Sequence, residues 1–370
     1  MTRRTARLTA LPVLIMMVVM GTSPVLSQSA GRADEEVKRS GIIYFPIMFS
    51  TPETGFAFGS SAGLFVRPAG ATAETRPTMV NLLGIYTAKK QLISQIGTDA
   101  YLQDGKYHVI ASFEFKKFPD TFWGIGNDLS VDADESFTSR RGLLSLDIQR
   151  RIRPGLNIGL QYVFARSTVI EIEPGGLLDS GDIRGATGST ISGAGLIVNL
   201  DTRNHIYYPT EGRWYQFSMR FYGDELGSEY RYSRYNLDLR EYIPIGSDQI
   251  LACQAYGLFI PGNPPFESLA RLGGERVMRG IYTGRYADQN MLTFQAEYRK
   301  QVWRRIGMVA FAGAGDVARR INDFRVSEFK FSAGFGIRFS LIPDEKMNLR
   351  LDWAWGKATS GMYITVMEAF

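Results

Sequence analysis

The chain has 370 residues, with 42 Lys and Arg against 37 Asp and Glu, two His and one Cys. A single cysteine excludes an internal disulfide, and one Cys with two distant His gives no metal-ligand spacing, so no metal or other cofactor is expected. Setting aside the three arginines of the first 27 residues lowers the formal charge from +5 to 39 − 37 = +2; the remaining charges are scattered, and no nucleic-acid partner is expected.

Residues 1–27 read as a secretory signal peptide. Arg3, Arg4 and Arg7 precede the apolar run "LTALPVLIMMVVMG", and Val25 and Ser27 are small residues ahead of a cut. The run is too short, and too interrupted by Pro12, to span a bilayer, and no later run reaches about 18 apolar residues. Residues 28–41 form a short periplasmic extension, and 42–370 the folded domain.

From residue 42 onward the dominant signal is alternation. Sixteen strands are expected at 42–49, 55–67, 77–88, 91–102, 106–118, 138–152, 156–169, 188–201, 211–223, 230–243, 249–260, 289–303, 306–315, 327–341, 346–357 and 361–370. In "MLTFQAEYR" Leu292, Phe294, Ala296 and Tyr298 share one face, while Thr293, Gln295, Glu297 and Arg299 share the other. In "FKFSAGFGIRFSL" phenylalanines oppose Lys330 and Arg338, and in "MNLRLDWAWG" Leu and Trp oppose Arg350 and Asp352.

Many of these strands run to about 10–14 residues, longer than most soluble sheets use. An exported chain without disulfides and with such strands predicts an all-β fold, a transmembrane antiparallel β-barrel of about 16 strands. Its apolar face meets outer-membrane lipid and its charged face the lumen. A large periplasmic β-sandwich is the alternative. Short turns such as "LQDGK", "RPGLN" and "IPIGSDQ" alternate with long connections at 119–137, 170–187 and 261–288, the short-inside, long-outside arrangement of such barrels.

Two segments then carry a family resemblance. "VMRGIY" (277–282), preceded by "LGGE" and followed by "NMLTFQAEYR", resembles the sixth extracellular loop and next strand of the BamA/TamA-type outer-membrane assembly barrels, which share the bacterial surface antigen domain. "NLDTRNHIYYPTEGRWYQFS" (199–218) resembles that family's Asp-Thr-Arg…Pro-Thr-x-Gly turn through Asp201, Arg203, Pro209 and Gly212. "FWGIGN" (122–127) and "FSTPETGFAFG" (49–59) are weaker matches.

The resemblance implies that the sixth loop folds into the lumen and that Arg279, with Gly280 and Tyr282 beside it, binds acidic and aromatic residues on the inner wall. Glu297 and Asp352 are the lumen-facing acids expected to receive it, one or the other, because a rigid guanidinium fork in a partly dry lumen needs a carboxylate. Gly273, Gly274, Gly280 and Gly284 allow the loop to turn back. A flexible surface loop with Arg279 in solvent is the alternative.

The chain departs from the family in two places. Where the thirteenth strand often carries an acid two residues after its Phe, this chain has Gly313, with Asp316 three residues further on. The stretch before the first strand is also too short for a POTRA domain.

The C-terminal strand places Ile364, Val366 and Phe370 on one face, interrupted by Glu368, and Phe370 is expected to act as an outer-membrane assembly signal. No catalytic group is expected: His108 and Ser112 lie on one strand about 13 Å apart, beyond the reach of a nucleophile and base, and Asp201 and Arg203 fit a turn-locking role. Two functional expectations remain. In one, a weak seam between the first and last strands, with Pro46 in the first, lends its edge to a client protein or lipid. In the other, the barrel is a passive pore or an anchor for a periplasmic partner.

Overall fold

Alternating side chains close a sheet on itself in the computed structural model, which describes residues 40–66, 78–103, 105–130, 133–342, 346–357 and 359–370. The signal peptide expected over 1–27, and nearly all of the extension expected over 28–41, lie outside the described residues.

The first strands are β1 (Ser40–Thr51), β2 (Gly55–Val66), β3 (Thr78–Thr87), β4 (Leu92–Leu102), β5 (Tyr107–Phe122) and β6 (Glu135–Arg153). They are followed by β7 (Leu156–Ile172), β8 (Gly188–Asp201), β9 (Gly212–Tyr222), β10 (Tyr232–Gly246) and β11 (Gln249–Phe259). A long connection then contains the two short strands β12 (Ala270–Leu272) and β13 (Tyr286–Asp288), which pair with each other, Ala287 of β13 also bridging to Gly126. The wall resumes with β14 (Asn290–Trp303), β15 (Ile306–Ala318), β16 (Lys330–Ile342), β17 (Met347–Gly356) and β18 (Thr359–Val366).

Each wall strand pairs antiparallel with its neighbours and β18 returns to β1, so β1–β11 and β14–β18 make a closed barrel of sixteen strands. Closure pairs the wall strands all round, apart from the lightly paired seam between β1 and β18. The parity of the side chains follows the alternation: Phe331, Phe335, Ile337 and Phe339 of β16 are exposed on the outer face, while Lys330, Ser332 and Arg338 are buried on the lumen face. Trp303 and Trp355, both more than half exposed, stand near opposite ends of the wall, where amphipathic rings suit the two membrane interfaces.

Strand ends differ from the sequence expectation by a few residues in several places, and two of the differences change the connections. β5 runs on to Phe122 and β6 begins at Glu135, so the connection expected over 119–137 is shorter. Above the outer end of the wall, Phe122 and Phe137 pack edge-on against Phe266, in a cluster with Leu178, Ala186 and Leu269. That apolar cap keeps the two strands paired beyond the length a bilayer requires. At the other end of the chain, β18 stops at Val366 rather than continuing to Phe370. Met367 takes a positive φ of 71°, and the chain turns into the lumen, where Phe370 and Ala369 pack on Tyr242 and Ala252.

The seam is the thinnest joint in the wall. Among the described residues β1 and β18 share one register pair, Ser50 with Ile364, against twelve between β1 and β2 and eight between β17 and β18. Pro46 lies inside β1 and has no N–H to give to either neighbour.

Candidate functional site

The connection 260–289 runs down into the barrel rather than away from it. Met278, Ile281 and Leu272 are fully buried, in one cluster with Tyr222, Tyr232, Leu258 and Val317 of the wall. Positive φ angles at Gly273, Gly274, Gly280 and Gly284 reverse its course. Gly280 is required twice over: its φ is 95°, and a Cβ there would stand 2.7 Å from the Trp355 carbonyl carbon. Met278, at φ 119°, holds a conformation that side-chain-bearing residues rarely adopt.

Arg279 is 1% exposed. Its two terminal nitrogens donate separately, one to Asp352 of β17 and the other to Glu297 of β14. The sequence pointed to one acid or the other; the fork reaches both because β14 and β17 flank it in the closed wall. The Phe311 ring of β15, between those strands, lies 3.5 Å from the guanidinium carbon, and a cation over an aromatic face is favourable.

An acid at Gly313 would have to displace the buried Met278 side chain of the loop. A Cβ there would come within 2.8 Å of the Met278 sulfur. Asp316 instead receives Lys330 at 2.9 Å and Asn127 of the "FWGIGN" segment at 3.1 Å.

Arg279 belongs to a larger buried network. Arg299 donates from Nε to Glu297 at 2.7 Å and from Nη2 to the Phe370 main-chain oxygen at 3.0 Å. Arg338 donates to Asp352 and, at 2.7 Å, to Glu368. Arg350 lies 3.4 Å from Asp352 and 3.5 Å from Glu275. Four arginines thus face four carboxylates, and charge balance is what makes so many buried ions tolerable. Glu368, an interruption in the apolar pattern of the terminal segment, is explained by its bond to Arg338. The sequence had no direct signal for its partner, because 30 residues and a reversal of the chain separate the two.

The loop also touches both sides of the seam. On the β18 side, the Gly280 N–H donates to the Tyr363 hydroxyl at 2.9 Å, and the Thr359 hydroxyl donates to the Gly280 carbonyl at 2.5 Å. On the β1 side, Thr283 donates its N–H (2.9 Å) and its hydroxyl (3.0 Å) to Glu53 in the β1–β2 turn. The Tyr282 ring packs edge-on to Trp123 at 5.1 Å, and burial, the largest influence on its phenol, pushes the pKa well above the ordinary value. Arg271 reaches Asp120 at 2.8 Å. Glu53, Trp123, Thr283 and Tyr363 were not picked out as site residues from the sequence, although the first two fall in the weaker family matches.

The 202–211 turn is closed by a two-pronged contact. Arg203 donates from Nε to Asp201 Oδ1 at 2.9 Å and from Nη2 to Oδ2 at 2.8 Å. Pro209 is buried, and a Cβ on Gly212 would stand 2.3 Å from the Thr202 carbonyl oxygen. The two histidines are placed apart: His108 contacts Asp99 at 2.7 Å and stacks on Tyr101, and His205 accepts N–H bonds from Tyr207 and Tyr208 within the turn. Ser112 bonds to Ser145.

Barrels of this shape are known. BamA from Haemophilus ducreyi lacking POTRA domains 1–3 superposes with a TM-score of 0.64 at 12% identity, covering 90% of this chain and 71% of that one. CdiB from Acinetobacter baumannii gives 0.59 at 12% identity, covering 89% and 60%, and CdiB from Escherichia coli gives 0.58 at 10% identity, covering 90% and 64%. At these identities the likeness is one of fold. No curated protein sequence matches the chain. Residues 89–363 match the Omp85 superfamily domain, a span that takes in the Asp201–Gly212 turn, the inward loop and its lumen partners. With that match laid over a closed sixteen-stranded barrel, the chain belongs to the Omp85 superfamily and is a β-barrel of the bacterial outer membrane.

Proposed function

We propose that the barrel assists the insertion or translocation of protein, or of lipid, at the outer membrane by opening its β1–β18 seam and lending the freed edge to a client. The observation that carries this reading is the single register pair, Ser50 with Ile364, at which the wall closes. An edge so lightly paired is a template for strand addition. β1 also bears apolar residues on both faces, Ile42, Tyr44 and Met48 outside and Phe45 and Phe49 inside. Such a strand loses little when it leaves the wall for lipid. The Arg279 network holds the loop, and the loop holds the two seam strands through Thr283 and Gly280. In this reading the lock keeps the barrel shut between clients.

The partners of this activity are outer-membrane lipid and a protein client, with a periplasmic protein delivering it. A passive pore or an anchor for a periplasmic partner is the competing reading; an arginine-locked loop in the lumen counts against a wide conducting path.

The test is a reversible cross-link. In a C253S background, the pair S50C and I364C joins the seam on oxidation. Proteoliposomes containing it are expected to accelerate the folding of a small outer-membrane barrel when reduced and to lose that acceleration when oxidised. Equal rates in the two states, with the cross-link verified, would sink the seam reading.

A further inference from the structure

Apart from the balanced network around Arg279, the lumen wall sets two like charges side by side. Arg220 of β9 and Arg234 of β10 are direct cross-strand partners. Both lie on the lumen face, in phase with buried Ser218 and Tyr222 on one strand and Tyr232 and Asp238 on the other. Side chains so placed start about 5 Å apart, and like charges there repel.

Neither arginine has a carboxylate among the described residues. Arg234 donates to the Ser268 carbonyl at 3.1 Å, and Arg220 Nε is buried without a hydrogen-bond partner. The nearby acids are otherwise engaged. Asp147 accepts from Gln161 at 3.0 Å and reaches Arg220 only through space, while Asp238 is held by Arg240 on both oxygens and by Gln254. The remaining acceptor of Gln161 and the side-chain oxygen of Asn236, two residues from Arg234, are also buried without partners. On β8 the residue beside Arg220 is Gly195, where a Cβ would collide with the Met219 carbonyl oxygen, so β8 sets no side chain against Arg220 at that position. Above them Tyr222 and Tyr232 stack in parallel at 4.2 Å, and the Tyr232 hydroxyl bonds to Ser268.

Two guanidinium forks that repel each other in the free wall attract one multivalent oxyanion between them. A carboxylate has two oxygens and is satisfied by one fork. A monohydrogen phosphate group has oxygens for two forks and an O–H to offer an orphaned acceptor such as Asn236. We infer that Arg220 and Arg234 form a lumenal binding site for a phosphate group, carried either by a free anion or by a lipid headgroup. The site stands independently of the seam.

The test is calorimetry on the refolded full chain in a neutral detergent and chloride buffer, with inorganic phosphate and with dihexanoyl phosphatidate as probes. Phosphate is expected to bind the wild type and to lose at least tenfold in affinity in R220Q and in R234Q. It should raise the melting temperature of the wild type alone. Either variant without anion should melt at or above the wild type, because one of two repelling charges is gone, so lost binding is not lost folding. If a glutamine variant does not fold, R220K keeps the charge and removes the fork, and should bind several-fold more weakly. Phosphatidate displacing phosphate at tenfold lower concentration assigns the site to a lipid headgroup, and failure to displace it assigns the site to a free anion. Equal affinity in wild type and both variants overturns the proposal, as does a folded wild type that binds neither probe.

Discussion

Thr283 donates both its main-chain N–H and its hydroxyl to one carboxylate oxygen of Glu53, 230 residues away in sequence. Four residues before Thr283, Arg279 is fixed to β14 and β17, and between them Gly280 is fixed to β18. One short piece of chain therefore ties the first hairpin of the barrel to its last strand. In the proposed mechanism this side-chain bridge, more than the one register pair of β1 and β18, keeps the seam shut.

The bridge makes Glu53→Ala a focused test. Two hydrogen bonds to a charged acceptor are lost, each contributing about 1.5–3 kcal/mol at most. Amide exchange in β1 and β18 is expected to speed by tenfold or more, while exchange in β7 and β8 stays as in the wild type. Uniform exchange across the wall would mean that the loop does not hold the seam.

Arg279→Ala removes a buried cation from between two carboxylates. Breaking a buried pair costs about 3–5 kcal/mol, and the lower end is expected because Arg299 and Arg338 remain to serve Glu297 and Asp352. In planar bilayers the small, flickering conductance expected of the wild type should become large and steady. Arg279→Lys is expected to rescue only part of the closure, since a single ammonium cannot give two diverging nitrogens to two strands.

Gly280→Ala reaches the same end without touching a charge. The added methyl meets Trp355 backbone at 2.7 Å, and the φ of 95° disfavours it besides. The loop must rise off β17, so the open conductance of Arg279→Ala should reappear with every ion-pairing residue still present. A wild-type trace from this variant would show that the close approach to Trp355 does not govern closure.

Phe370→Ala tests the inward turn of the last four residues. Deleting a buried phenyl costs about 3–5 kcal/mol, here from a cluster with Tyr242 and Ala252. A clear fall in the urea midpoint of the folded barrel is expected. A lipid-facing Phe370 would lose far less on truncation, and an unchanged midpoint would place it there.

Asp201→Asn weakens the two-pronged bond to Arg203 in the 202–211 turn. Arg203 is largely buried there and Asp201 less so, which argues for a modest loss of about 1–2 kcal/mol. Thermal stability should fall while conductance stays as in the wild type, because the turn lies apart from the loop that fills the lumen.

What the sequence determined by itself was parity. A strand has a period of two, so each side chain's polarity settles which face it occupies, and Glu297, Arg338, Arg350 and Asp352 could be assigned to the lumen from alternation alone. The number of strands followed from the same periodicity, and the resemblance of 277–282 and 199–218 singled out Arg279 and the Asp201–Gly212 turn. The tertiary structure decided what meets across the lumen. That Arg279 takes both Glu297 and Asp352, that Glu368 answers Arg338, that Glu53 holds Thr283, and that Phe370 turns inward all depend on strands far apart in the chain. Alternation cannot supply those pairings, because it carries no information about which lumen residues stand at the same height. Barrel closure and strand stagger set those heights, and only the closed wall has them.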